Sequence, residues 1–134
     1  MPLSGAQWVP QFPTSSGLDD LTEPFRANAK RYISAIRAAH ATLTISDTLR
    51  PPQRVCPMHF SFAIEREGLD PASVPSMAGV DVQWVHADSA GKADLAASKK
   101  AAEQMVIGYG IVFKPVLGSR HTEVKARHGC QLAE

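Results

Sequence analysis

The chain has almost no net charge. Its 134 residues include 14 Lys and Arg against 13 Asp and Glu, a formal +1. That balance leaves no electrostatic footprint for nucleic acid or for an anionic membrane surface. Cysteine is scarce, with Cys56 and Cys130 alone. Two cysteines make no disulfide framework of the kind that staples small secreted domains, and free thiols are expected. Long apolar runs are missing too, and nothing approaches the roughly 20 residues that span a bilayer. The opening stretch MPLSGAQWVPQFPTSSG lacks the basic and apolar regions of a secretory signal, so the product is expected to be cytoplasmic as synthesised. Internal repeats and low-complexity tracts are also lacking. What is present is ordinary for a single globular domain: 44% hydrophobic and 20% charged residues.

Residues 1–18 are rich in proline, glycine and serine and read as an irregular arm. Trp8, Val9 and Phe12 are too apolar for a free tail, so the arm should pack on the domain. Leu21, Phe25, Ala29, Ile33, Ile36 and His40 recur at helical spacing and predict a helix from about Leu21 to His40, capped by Asp19 or Asp20. Pro24 falls in its first turn, where a missing N–H costs little. The β-branched run TLTIS (42–46) predicts a strand. A loop leads into a second helix over 54–68, ending at Gly68, with a start near Pro57 or a kink there. Val80, Val82 and Trp84 alternate with Asp81, Gln83 and Val85, which predicts a strand over 80–86. A turn-rich connection follows. The Ala-rich stretch 95–110 is the clearest helix, closing at Gly108 or Gly110, and IVFK (111–114) reads as a last short strand. The sum is α+β, a small antiparallel sheet with flanking helices.

Most isolated polar residues have an unremarkable reading. His40 and His59 lie on predicted helices and suit satisfied, partly buried histidines. His86 ends a strand beside Asp88 and suits a structural role. Trp8 and Trp84 suit core or groove positions, and Lys99 and Lys100 a solvated helix face.

Taken in order, FPTSSGLDDL, ISDTLRPPQRVCPMHF, VPSMAGVDVQWVH, AASKKAAEQMVIGYGI and LGSRHTEVKA resemble one family. It is the zinc D-alanyl-D-alanine carboxypeptidases with the VanY-type and phage-lysin peptidoglycan peptidases, and more closely a bacterial and prophage branch with a TLRPPQR…MH segment. The resemblance covers about residues 8–126 and implies a DD-peptidase/hedgehog-like fold, incomplete at the C-terminus, as one domain over 1–134. The family pattern Ser-x-His-x-x-Gly-x-Ala-x-Asp falls on Ser119, His121 and Ala126. Its His and Asp bind zinc, and a later Glu-x-x-Trp-His-type segment brings a third ligand and a general-base Glu. A catalytic zinc held by three protein ligands keeps one position for water, lowers the pKa of that water and polarises the scissile carbonyl. By resemblance His121 is the first ligand. Arg50 is the substrate-side anchor, its fork matched to a carboxylate, with Gln53 as its assistant.

The chain departs from that pattern at decisive points. Val124 stands at the Gly position and His128 at the Asp position, and the sequence reads Glu134 where the base-bearing segment is still to come. His128 is then the only second ligand on offer, and zinc is expected to be weakly held or lost. Under one choice of codons, a two-base deletion in an ancestral Ala-Ile-Asp-Met-Asp line yields Arg-His-Gly-Cys-Gln-Leu, the residues at 127–132. Residues 127–134 are therefore expected to be out of frame. The functional expectation is a peptidoglycan peptidase-like protein with impaired or absent hydrolysis and no catalytic residue of its own. The alternatives are a non-catalytic module binding stem peptides, or a remnant without function. The partners implied are stem peptides, with no nucleic acid and no membrane. The wall or periplasm would be reached on release as a lysin.

Overall fold

A computed structural model describes residues 1–21, 23–45 and 50–117. Among the described residues three helices carry the fold: α1 (Phe25–Ala38), α2 (Pro52–Arg66) and α3 (Leu95–Tyr109). Between α2 and α3 a two-stranded antiparallel sheet joins β1 (His86–Ala87) to β2 (Ala93–Asp94), with His86 opposite Asp94 and Ala87 opposite Ala93. Single 3₁₀ turns lie at Ala6–Trp8, Leu18–Asp20 and Pro71–Ser73. The protein is thus a small α+β fold, as the pattern predicts.

The α2–α3 pair is the main helix contact. Val55, Met58, Ala63 and Ile64 of α2 and Ala101, Ala102, Met105 and Val106 of α3 are all buried. Each large apolar side chain removed from water contributes about 1.5–3 kcal/mol before conformational entropy is charged against it. α2 begins at Pro52, earlier than Pro57. Pro51 is extended (φ −62°, ψ 146°), as a residue before proline prefers, and Pro52 occupies the first helical position, where its missing N–H is harmless. The Pro51 carbonyl then accepts from Arg54 N–H (2.9 Å) and Val55 N–H (3.1 Å). Pro57 stays inside the helix, fully buried, and removes the donor that the Gln53 carbonyl would otherwise take. Cys56, 4% exposed, is disulfide-bonded rather than a free thiol. That corrects the expectation of a free thiol at this position. Cys130 lies outside the described residues.

α3 follows its sequence signals closely. Asp94 caps it, its Oδ1 accepting from Ala97 N–H at 3.0 Å. Gly110 ends it in the left-handed region at φ 68°. Gly108 has a different task. A Cβ built there would lie 2.6 Å from Val9 Cγ2, so the missing side chain is what lets the arm lie against the helix.

The arm packs as expected. Trp8 joins Val80, Val82 and Met105 in a buried cluster, with Phe12, Met77, Trp84 and Tyr109 around it. Ser4 N–H donates to the Gln83 carbonyl (2.9 Å) and Gln83 N–H to the Pro2 carbonyl (2.8 Å). The arm therefore takes the place of a neighbouring strand beside residue 83.

Several local expectations fail, for one shared reason: an extended run needs a partner. Residues 42–45 form no strand, and 46–49 lie outside the described residues. Residues 111–114 form no strand either, and Val112 and Phe113 are exposed. The 80–86 run keeps its alternation, with Val80 and Val82 buried and Asp81 exposed, but ladders only from His86. The connection after it is a hairpin, closed where Asp88 Oδ1 accepts from the N–H groups of Ala90 and Lys92, each at 2.9 Å. α1 starts at Phe25 rather than Leu21, because Asp19 and Asp20 belong to their own 3₁₀ turn. Within α1 only Ile33 is buried, Phe25 and Tyr32 are exposed, and His40 lies beyond the helix end, exposed, at φ 60°.

Gly108→Val should destabilise the fold by about 1–3 kcal/mol, the range for overpacking a close contact. Urea unfolding measures it. The pair Gly108→Val with Val9→Ala should recover much of the loss, and a purely additive pair would remove Val9 as the cause.

Candidate functional site

Two of the segments that carry the family resemblance meet in space. Cys56, Pro57 and Phe60 of α2 form one wall of a cavity of about 130 Å³, residues within 74–84 form the other, and Met1 of the arm also borders it. The buried proline removes a helix hydrogen bond and presents its ring to this space. Val80 and Val82 turn inward to the core, and Trp84, half-buried, both packs on that core and lines the cavity. Trp84 is thus at once core and groove, as its sequence position suggests. Among the described lining residues, Asp81 carries a carboxyl side chain and Met1 the N-terminal ammonium.

The polar residues at the start of α2 divide by role. Arg50 is half-buried on the extended approach to Pro51, and takes part in no ion pair among the described residues. Gln53 is half-buried in the first turn. Neither lines the cavity; both stand at the N-terminal end of the helix that walls it. Arg54, which motif reasoning passed over, is committed to structure. Its Nη1 donates to the Val9 carbonyl at 2.6 Å and to the Gln11 carbonyl at 3.2 Å. Its guanidinium carbon lies 4.9 Å from the centre of the Tyr109 ring. Tyr109 in turn donates its hydroxyl to the Trp8 carbonyl at 3.3 Å.

The histidines among the described residues are mostly spoken for. His59 Nδ1 donates to the Pro115 carbonyl at 2.8 Å. His86 Nε2 lies 3.0 Å from Oγ of the buried Ser4, while its backbone N–H donates to Ser98 Oγ at 2.8 Å. His86 therefore ties the arm and α3 to the hairpin, in the structural role expected for it. His121 and His128, the metal ligands suggested by resemblance, lie outside the described residues. Among the described residues no group of three or more His, Cys, Asp and Glu is placed to hold a metal ion. A second, more open cavity of about 430 Å³ lies between residues 68–72, the hairpin and the start of α3.

Asp81 is the site residue that sequence reasoning missed. The alternation of 80–85 gave no signal for it, since Val80, Asp81 and Val82 all border the same cavity. Among the described residues no helix is long and apolar enough to cross a membrane. The chain matches no protein-family model, no curated protein and no solved structure.

Burial pushes the Tyr109 hydroxyl up to about 12, against the pull of the Arg54 charge. An unfolded tyrosine titrates near 10. The fold thus favours the neutral phenol, and this contribution is full below about pH 10 and lost as pH rises to about 12. Thermal melts across that window should show a steep loss of stability that Tyr109→Phe flattens and Tyr32→Phe leaves in place. Equal slopes in both variants would remove Tyr109 as the cause.

Proposed function

We propose that the chain is a peptidoglycan peptidase-like protein whose retained capacity is binding of stem peptides, with zinc-dependent hydrolysis impaired or lost. The observation that carries this reading is the meeting of ISDTLRPPQRVCPMHF and VPSMAGVDVQWVH around one cavity. Segments that resemble a family are far apart in the sequence, and a shared recognition surface is a physical reason for them to occur together. Arg50, outside any ion pair among the described residues, suits a peptide carboxylate, which its planar fork matches with two parallel hydrogen bonds.

The impaired chemistry rests on residue types within the motif. Val124 replaces the pattern's Gly and His128 its Asp. Histidine can ligate zinc, so His121 with His128 is a chemically allowed pair. Two neutral imidazoles hold the ion less firmly than the family's mixed set of three, and they bring no carboxylate to take the proton of a bound water.

Purified chain should pellet with cell wall at low salt, and Arg50→Ala should weaken that about tenfold, the range for losing one charge-assisted contact. Zinc measured on the same preparation should fall well below one ion per chain. One tightly held zinc, lost in His121→Ala and accompanied by D-Ala release, would replace binding with catalysis. Failure to pellet would remove the wall as the partner.

A further inference from the structure

We propose that α1 is a docking surface for an anionic lipid bilayer, on which the helix lies flat with Phe25 and Tyr32 set below the headgroups. Phe25, Ala29, Tyr32 and Ile36 recur at helical spacing and form one apolar stripe along α1. In a globular domain such a stripe ordinarily turns to the core. Here Ile33, at its edge, is the one buried residue of the helix, while Phe25 and Tyr32 stay 62% and 67% exposed. α1 meets the 3₁₀ turn at Leu18–Asp20 and has no comparable contact with α2 or α3 among the described residues. Two aromatic rings one above the other are thus open on the outside of the fold.

Charge identifies what covers them. Residues 24–46 carry Arg26, Lys30, Arg31 and Arg37 and no Asp or Glu. The near-neutral total conceals this segregation, because the carboxylates lie elsewhere in the chain. On the helix, Arg26, Lys30 and Arg37 follow one flank of the stripe and Arg31 stands on the other side. Lys30 meets Asp19 at 2.7 Å and Arg26 meets Glu23 at 3.8 Å, both surface pairs of the kind that contribute little. Arg31 and Arg37 are exposed and enter no ion pair among the described residues. A lipid interface has the matching layers: acyl boundary for the rings, and above it phosphates for the cations. A nucleic acid would answer the cations and leave the aliphatic part of the stripe without a partner. This inference is independent of the cell-wall reading.

The test uses the full chain in flotation with vesicles of phosphatidylcholine alone and of phosphatidylcholine with about one third phosphatidylglycerol. The chain should float with the anionic vesicles, bind the neutral ones at least tenfold more weakly, and be released by raised salt. Arg31→Gln with Arg37→Gln should weaken anionic binding about thirtyfold, or about fivefold for each cation lost near the leaflet. Phe25→Ala with Tyr32→Ala should weaken it about tenfold or more. All four positions are exposed, so circular dichroism and melting should match the parent chain. Absence of flotation would overturn the surface, as would equal binding to both vesicles or paired variants that bind as before. Binding of a single-stranded oligonucleotide without flotation would replace lipid with nucleic acid. The vesicles hold no peptidoglycan, so neither result bears on pelleting with cell wall.

Discussion

Arg54 holds three parts of the chain at one point. It leaves α2 and reaches the carbonyls of Val9 and Gln11, while its guanidinium lies against the Tyr109 ring at the end of α3. Arg54 and the Tyr109 hydroxyl supply donors to Val9, Gln11 and Trp8. With the arm so held, Trp8 can reach Val80, Val82 and Met105. Gly108 completes the arrangement from below by leaving room for Val9.

The cavity depends on that same docking. Val80 and Val82 are fixed inward against Trp8 and Met105 and also border the cavity, with Asp81 exposed between them. Residue 83 is held by backbone hydrogen bonds to Pro2 and Ser4, which sets the position of Trp84 beside it. On the opposite wall, Pro52 starts α2 early enough that Pro57 and Phe60 stand across from residues 74–84. A mostly apolar cavity follows from these placements without any residue being placed for it alone.

The motif at 119–128 that is most specific to the resemblance lies outside the described residues. Two of the others wall one cavity. A third, 96–111, provides Met105 to the core and Tyr109 to the clamp. Arg50 and Arg54 are four residues apart and nothing in their identities tells them apart in sequence. Arg54 meets the arm because it lies in the first turn of α2, where its guanidinium reaches the Val9 and Gln11 carbonyls. Arg50 lies before the helix and is left outside the ion pairs among the described residues.

The sequence by itself determined the elements whose signals are local. α3 runs from the Asp94 cap to the left-handed Gly110 because both signals act within a few residues. The inward alternation of Val80 and Val82 and the burial of Trp8 were likewise legible from side-chain type. Tertiary structure alone decided which extended runs became strands. TLTIS and IVFK carry strand-like residues, yet 42–45 and 111–114 form none, while His86–Ala87 ladders with a stretch that reads as a turn. A strand exists only when a second chain segment lies alongside to take its hydrogen bonds. No single stretch of sequence states where its neighbour will be. The same holds for the commitment of Arg54 and for the cavity between α2 and residues 74–84, each of which is a relation between segments far apart in the chain.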